Sequence, residues 1–150
     1  RVKGLRGATI YTGSDNASDA ESAALADREN LSDQLAGVPT AEEKHEVADI
    51  LFDFVRRETQ DYSTVVAKDL VGELSHSVGV INNPHRHARF KVLRAPDVPS
   101  VLVELGYLSN IDDEASLRDP RWRAKAVASI SAAVEKFAAR KGVVAAQAQR

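Results

Sequence analysis

The spacing of apolar positions changes along the chain, and the changes mark out its elements. Ala8-Thr9-Ile10-Tyr11-Thr12 is a β-prone run between Gly7 and Gly13 and predicts a short strand. Gly13-Ser14-Asp15-Asn16 reads as a turn, and Ser18 with Glu21 fits a capping box opening a helix that runs to Leu35 and stops at Gly37. Ala24, Leu25, Leu31 and Leu35 give that helix only a thin apolar stripe. Pro39-Thr40, followed by Glu42 and Glu43, opens a second helical stretch with Thr40 as cap and acids in the first turn. Val47, Ile50, Leu51, Phe54 and Val55 then repeat at helical spacing, and the period resumes with Tyr62, Val65, Val66, Leu70 and Leu74. One long bent helix, or two end to end, is expected over 41–75.

The second half changes period. Val78 to Ile81 reads as a short strand or loop, Asn82-Asn83-Pro84 as a turn, and Phe90-Lys91-Val92-Leu93 as a strand. Val101-Leu102-Val103 shows no alternation and lies between Pro99 and Gly106, the pattern of a strand buried on both faces. Ser109-Asn110 caps a short helix whose first turn holds Asp112, Asp113 and Glu114. Asp119-Pro120 starts the last helix, with Trp122, Val127, Ile130, Val134 and Phe137 as the stripe facing the sheet. Beyond Gly142, residues 143–150 read as a frayed tail. The expected fold is α/β, a mixed β-sheet flanked by helices, in one domain over 1–142 whose helical stretch covers about 15–77.

Composition narrows the function classes. A hydrophobic share of 43% and a charged share of 28% are those of an ordinary globular chain. No apolar run approaches the roughly 20 residues of a membrane helix. A net charge of -2 argues against nucleic acid as the main partner. With no Cys, disulfides and thiolate metal sites are excluded.

Among candidate chemical groups, Glu104 stands first. It ends the Val101–Val103 run, and in open α/β sheets ligands bind outside the carboxyl ends of strands. Composition alone leaves a second reading open, a carboxylate that accepts hydrogen bonds from a nearby turn. His85 and His87 alternate across Arg86 and would share one face of an extended segment, a geometry open to a metal, although no third ligand is near in sequence. Arg86, Arg89 and Arg94 are readable either as a charged face for an acidic substrate or as solvated surface. Glu29-Asn30 lies on the polar helix, where an acid is ordinarily solvated.

The stretch from Val92 to Asn110, with Pro96-Asp97-Val98-Pro99-Ser100-Val101-Leu102-Val103-Glu104-Leu105-Gly106-Tyr107-Leu108-Ser109-Asn110 at its centre, resembles the C-terminal signature of the zinc-dependent N-acetylmuramoyl-L-alanine amidases, type 3, the family of bacterial cell-separation enzymes. The resemblance extends from about Leu5 to about Ala139. It implies a peptidoglycan hydrolase that cuts the amide between N-acetylmuramic acid and L-alanine, with Zn2+ as cofactor, Glu104 as general base and acid, and a periplasmic location. It also implies that the zinc ligands (two His and a Glu) and the first strands of the sheet lie ahead of Arg1. An Ala-x-x-Glu-Asn pattern at Ala26–Asn30 matches the family's inserted helical segment, which makes Glu29 a candidate inhibitory metal ligand. Val47, Ile50, Leu51 and Phe54 would be either sheet-packing residues or a detachable face for an activator protein. The alternatives are a peptidoglycan-binding or regulatory fragment without zinc ligands, and another zinc exopeptidase-like hydrolase.

Overall fold

The strand expected at the N-terminal end forms as β1, Ala8–Gly13. In the computed structural model, residues 5–37 and 48–148 are described, with side chains over 5–37 and 54–140. The remaining elements are α1 (Ala20–Leu35), α2 (Ala48–Ser77), β2 (Val80–Ala88), β3 (Val101–Glu104), α3 (Ile111–Arg118) and α4 (Pro120–Ala148), with a 3₁₀ turn at Lys91–Leu93. The strands make a three-stranded mixed sheet in the order β2-β1-β3. The α/β class is as expected.

The chain divides into two compact units. One holds 1–10, 65–85 and 103–150; the other holds 11–64 and 86–102.

In the first unit, α4 meets the C-terminal half of α2 through polar contacts. Ser129 Oγ donates to Ser77 Oγ at 2.6 Å, and Arg140 and Lys136 both pair with the buried Asp69. The face of α4 that is buried consists of Ala126, Ser129 and Ala133. This corrects the expected stripe: Val127 and Val134 are 63% and 51% exposed, while Trp122, Ile130 and Phe137 are half-buried. Small side chains allow helices to approach closely, so an Ala/Ser face can be the buried one even where larger apolar residues are available. On α2, Ala67, Leu70 and Leu74 are buried, as their period requires. α3 packs on α4. The backbone of α4 stays helical to Ala148 and passes through Gly142, where the sequence suggested a tail. Gly in a helix costs only ~1 kcal/mol, and the Ala and Gln that follow are good helix formers.

The second unit is built on Tyr11, Ala26, Ala88 and Phe90, with Leu25, Leu93 and Leu102 against them. Tyr11 and Phe90 meet edge to face, with ring centroids 5.4 Å apart. The helix α1 ends at Leu35 with Gly37 at φ 72°, as expected, but its cap is Asp19, one residue after the expected Ser18. Ser18 is occupied elsewhere: it accepts from His87 N at 3.2 Å.

Three other expectations change. The Asn82-Asn83-Pro84 turn is absorbed into β2, where Pro84 is tolerated because β2 lies at a sheet edge. Phe90–Leu93 is a 3₁₀ turn rather than a strand, because Asn30 Oδ1 accepts from Lys91 N at 2.7 Å and Phe90 O from Leu93 N at 3.3 Å. All four residues of β3 are half-buried rather than buried, because β3 is the other edge strand of the described sheet. The expected start of the second helix, 41–47, lies outside the described residues.

If the small-residue face sets the position of α4, Ala133→Leu should destabilise the protein by about 1–3 kcal/mol through overpacking. Val134→Thr should change stability by no more than ~0.5 kcal/mol. Urea unfolding followed by circular dichroism separates the two outcomes; equal effects would rule out this packing face.

Candidate active site

Glu104 closes β3 and is half-buried, with its backbone held in the sheet. What holds the exit of the strand is Asp113, in the first turn of α3. Its buried carboxylate accepts through Oδ2 from Tyr107 N at 3.0 Å and from Gly7 N at 3.1 Å. Arg6 Nε lies 3.9 Å from its other oxygen. Gly106 has little room beside that side chain: a Cβ there would stand 3.2 Å from Asp113 Cβ, Cγ and Oδ2, closer than ordinary contact. The Tyr107 hydroxyl shares a 2.8 Å hydrogen bond with Thr9 Oγ1. Asn110 caps α3 by accepting from Asp112 N and Asp113 N, and its Nδ2 donates to Leu5 O at 3.1 Å. Residues 105–110 are thereby tied at both ends to the entrance of β1. A carboxylate at the end of a strand, followed by a fixed turn, is suited to take and return a proton.

The other candidates lie elsewhere. Glu29 sits on α1 in the second unit, 45% exposed at its side chain, with Arg28 Nε 3.9 Å away. Its neighbour Asn30 is structural: Nδ2 donates to Arg89 O at 2.8 Å and Oδ1 accepts from Lys91 N. Phe54 is 64% exposed, whereas Val47 and the side chains of Ile50 and Leu51 lie outside the described residues.

His85 and His87 belong to β2, and among the described residues no three His, Asp or Glu come together in an arrangement able to hold a metal. Arg86 does not face a substrate. It is 8% exposed, with Nη1 2.8 Å from Glu21 Oε2 and 3.8 Å from Asp19 Oδ1. Burial alone would lower the Arg86 pKa; the Glu21 hydrogen bond and the Asp19 charge outweigh it and raise it. At Asp19, burial pushes the carboxyl up, but hydrogen bonds from Ser22 N–H, the Ser22 and Ser18 hydroxyls, and the charge of Arg86 together hold it below the usual value.

The family model described as N-acetylmuramoyl-L-alanine amidase matches residues 2–136 of this chain. The chain belongs to that family. It is 30% identical over 129 residues to the N-acetylmuramoyl-L-alanine amidase AmiA of Escherichia coli K12, which covers 85% of this chain and 45% of that protein. To AmiC of Neisseria meningitidis it is 34% identical over 117 residues, 75% of this chain and 27% of the relative. A shorter match, 34% over 64 residues and 43% of this chain, joins it to the probable cell wall amidase LytH of Staphylococcus epidermidis, of which it covers 22%. The chain thus spans less than half the length of these relatives. The match includes Glu104 and the turn that Asp113 holds. Asp113 itself was read only as one of three acids favouring a helix N-terminus; nothing in its sequence position reveals that it accepts from Gly7 and Tyr107.

Two outcomes are expected. Gly106→Ala should cost about 1–3 kcal/mol in urea unfolding, because the added methyl meets Asp113; a neutral result would mean that the turn does not depend on this contact. Asp19, with its pKa lowered on folding, contributes stability that is present above the unfolded carboxylate value and lost as pH falls through the folded one. Asp19→Asn should therefore lower stability at neutral pH and flatten its decline on the acid side of about pH 4; an unaltered acid limb would remove Asp19 from the linkage.

Proposed function

We propose that the polypeptide to which these residues belong hydrolyses the amide between N-acetylmuramic acid and the L-alanine of the peptidoglycan stem peptide, in the cell envelope, during wall remodelling and daughter-cell separation. The observation that carries the reading is the family match over 2–136 together with Glu104 at the end of β3, just before a braced turn. Glu104 would accept a proton from the attacking water and deliver it to the leaving amine. The zinc that the family resemblance implies finds no complete ligand set among the described residues. The brace on residues 105–113 would keep Glu104 in register with the scissile bond, where small misplacements are costly.

A second layer of the proposal is autoinhibition. Glu29, on a helix with a weak apolar stripe and with Arg28 Nε 3.9 Å away, would block the site in the resting state. The face of α2 that includes the exposed Phe54 and Val55 would be captured by an activator protein.

The test is muropeptide release from purified sacculi by a polypeptide that carries the family's His, Glu and His ahead of residue 1. Glu104→Gln should retain bound zinc and lose turnover by several orders of magnitude, about 10²–10⁴-fold for the proton-transfer role. Glu29→Ala should raise the rate measured without activator. Near-normal release by Glu104→Gln would sink the catalytic role, and an unchanged basal rate in Glu29→Ala would sink the inhibitory one.

A further inference from the structure

Two hydroxyls on α2 reach the segment that feeds β3. Thr59 and Ser63 are one helical turn apart, the i and i+4 spacing that places two side chains on one face. Both belong to the second unit and both are buried, at 8% and 5% exposure. Thr59 Oγ1 donates to Pro96 O at 2.7 Å. Ser63 Oγ accepts from Ser100 N at 3.0 Å while donating to Thr59 O at 2.9 Å. Their neighbour Thr64 bonds only back to Gln60 O, the ordinary habit of a hydroxyl inside a helix. Thr59 and Ser63 instead reach out to the chain that leads into β3.

These two bonds bracket 96–100, a segment with little freedom of its own. Pro96 and Pro99 fix their φ near -65° and offer no N–H. Ser100 Oγ donates to Val98 O at 2.9 Å. Val101 then opens β3, and Glu104 closes it. Four strand residues cover only ~13 Å, so a displacement at Ser100 is carried along the strand to its last residue. A slip of one residue would turn every β3 side chain to the opposite face.

We propose that Thr59 and Ser63 are positioning residues for Glu104, setting the entry and register of the strand that carries it. Asp113 fastens the chain after Glu104, and the α2 hydroxyls fasten it before. The effect on turnover rests on the peptidoglycan reading; the setting of β3 does not.

The experiment uses the polypeptide with the family's His, Glu and His ahead of residue 1, in four forms: parent, Ser63→Ala, Thr59→Val and Thr59→Ser. Valine matches threonine in shape without the hydroxyl, and serine keeps the hydroxyl. Hydrogen exchange of the β3 amides should quicken by about tenfold in Ser63→Ala and Thr59→Val and stay at the parent rate in Thr59→Ser. In muropeptide release, the first two variants should lose about tenfold in kcat with KM within about twofold, since misplacing a reacting group lowers kcat rather than binding. Thr59→Ser should recover the parent kcat. Should Ser63→Ala fail to fold, the Thr59 pair makes the same comparison. The proposal is overturned if the folded variants exchange β3 amides as the parent does, if kcat is unchanged, or if Thr59→Val and Thr59→Ser behave alike. A parent that releases no muropeptide sinks the peptidoglycan reading instead, and the exchange rates alone then decide whether the two hydroxyls set β3.

Discussion

A single buried carboxylate ties the entrance of β1 to the exit of β3. Asp113 accepts from Gly7 and Tyr107, and it does so while burying a charge, which costs several kcal/mol unless hydrogen bonds and opposite charge offset it. Two backbone N–H donors, the Arg6 guanidinium and the N-terminal end of α3 all act in that direction. Gly7 adopts φ 104° with Val80 backbone atoms 3.0–3.2 Å from where a Cβ would be. A larger residue there would disturb both the strand pairing and the donor that Asp113 needs. The placement of Glu104 is thus a consequence of how its neighbours' backbone donors are satisfied.

Buried charge recurs with different purposes. Asp69 is closed by Arg140 and Lys136 and joins α2 to α4; Arg86 is closed by Glu21 and Asp19 and joins β2 to the start of α1. Each is a pair or triad whose members come from distant parts of the chain, so removing one partner leaves a charge uncompensated and should cost more than the net worth of the pair. Asp15 differs. It is exposed and shared by guanidiniums at distances that leave their geometry adjustable. Closed ion pairs hold the elements together, and the looser one lies at the surface.

Local signals read well. The stop of α1 at Leu35 before Gly37, the cap Asn110, the start of α4 at Pro120 and the strand Ala8–Gly13 all depend on side chains within a few residues of the element they shape. The misread parts are those decided by distant partners. Ser18 lost the cap to Asp19 because His87 engages it, Lys91 left the expected strand because Asn30 engages its N–H, and Arg86 turned inward because Glu21 and Asp19 lie beneath it. On α4, size rather than hydrophobicity selected the buried face, and a periodicity of large apolar residues cannot report that. For the candidate site, the position of Glu104 at the end of β3 was legible from the apolar run before it. The brace around it was not, since Asp113 and Gly7 are 106 positions apart.

Trp122 is the only tryptophan in the chain, and it lines a cavity of about 430 Å³ with Arg6, Gly7 and Asp113. All four residues belong to the first unit, the one that carries Glu104. The intrinsic emission of this protein, excited selectively at the indole band, is therefore a private signal of that unit, and of the polar neighbourhood that braces the turn after Glu104. Loosening around Gly7 and Asp113 would change the hydration of the indole and its emission colour, while unravelling confined to the Tyr11–Phe90 core would leave that colour untouched. The chain carries its own optical reporter for one half of its architecture.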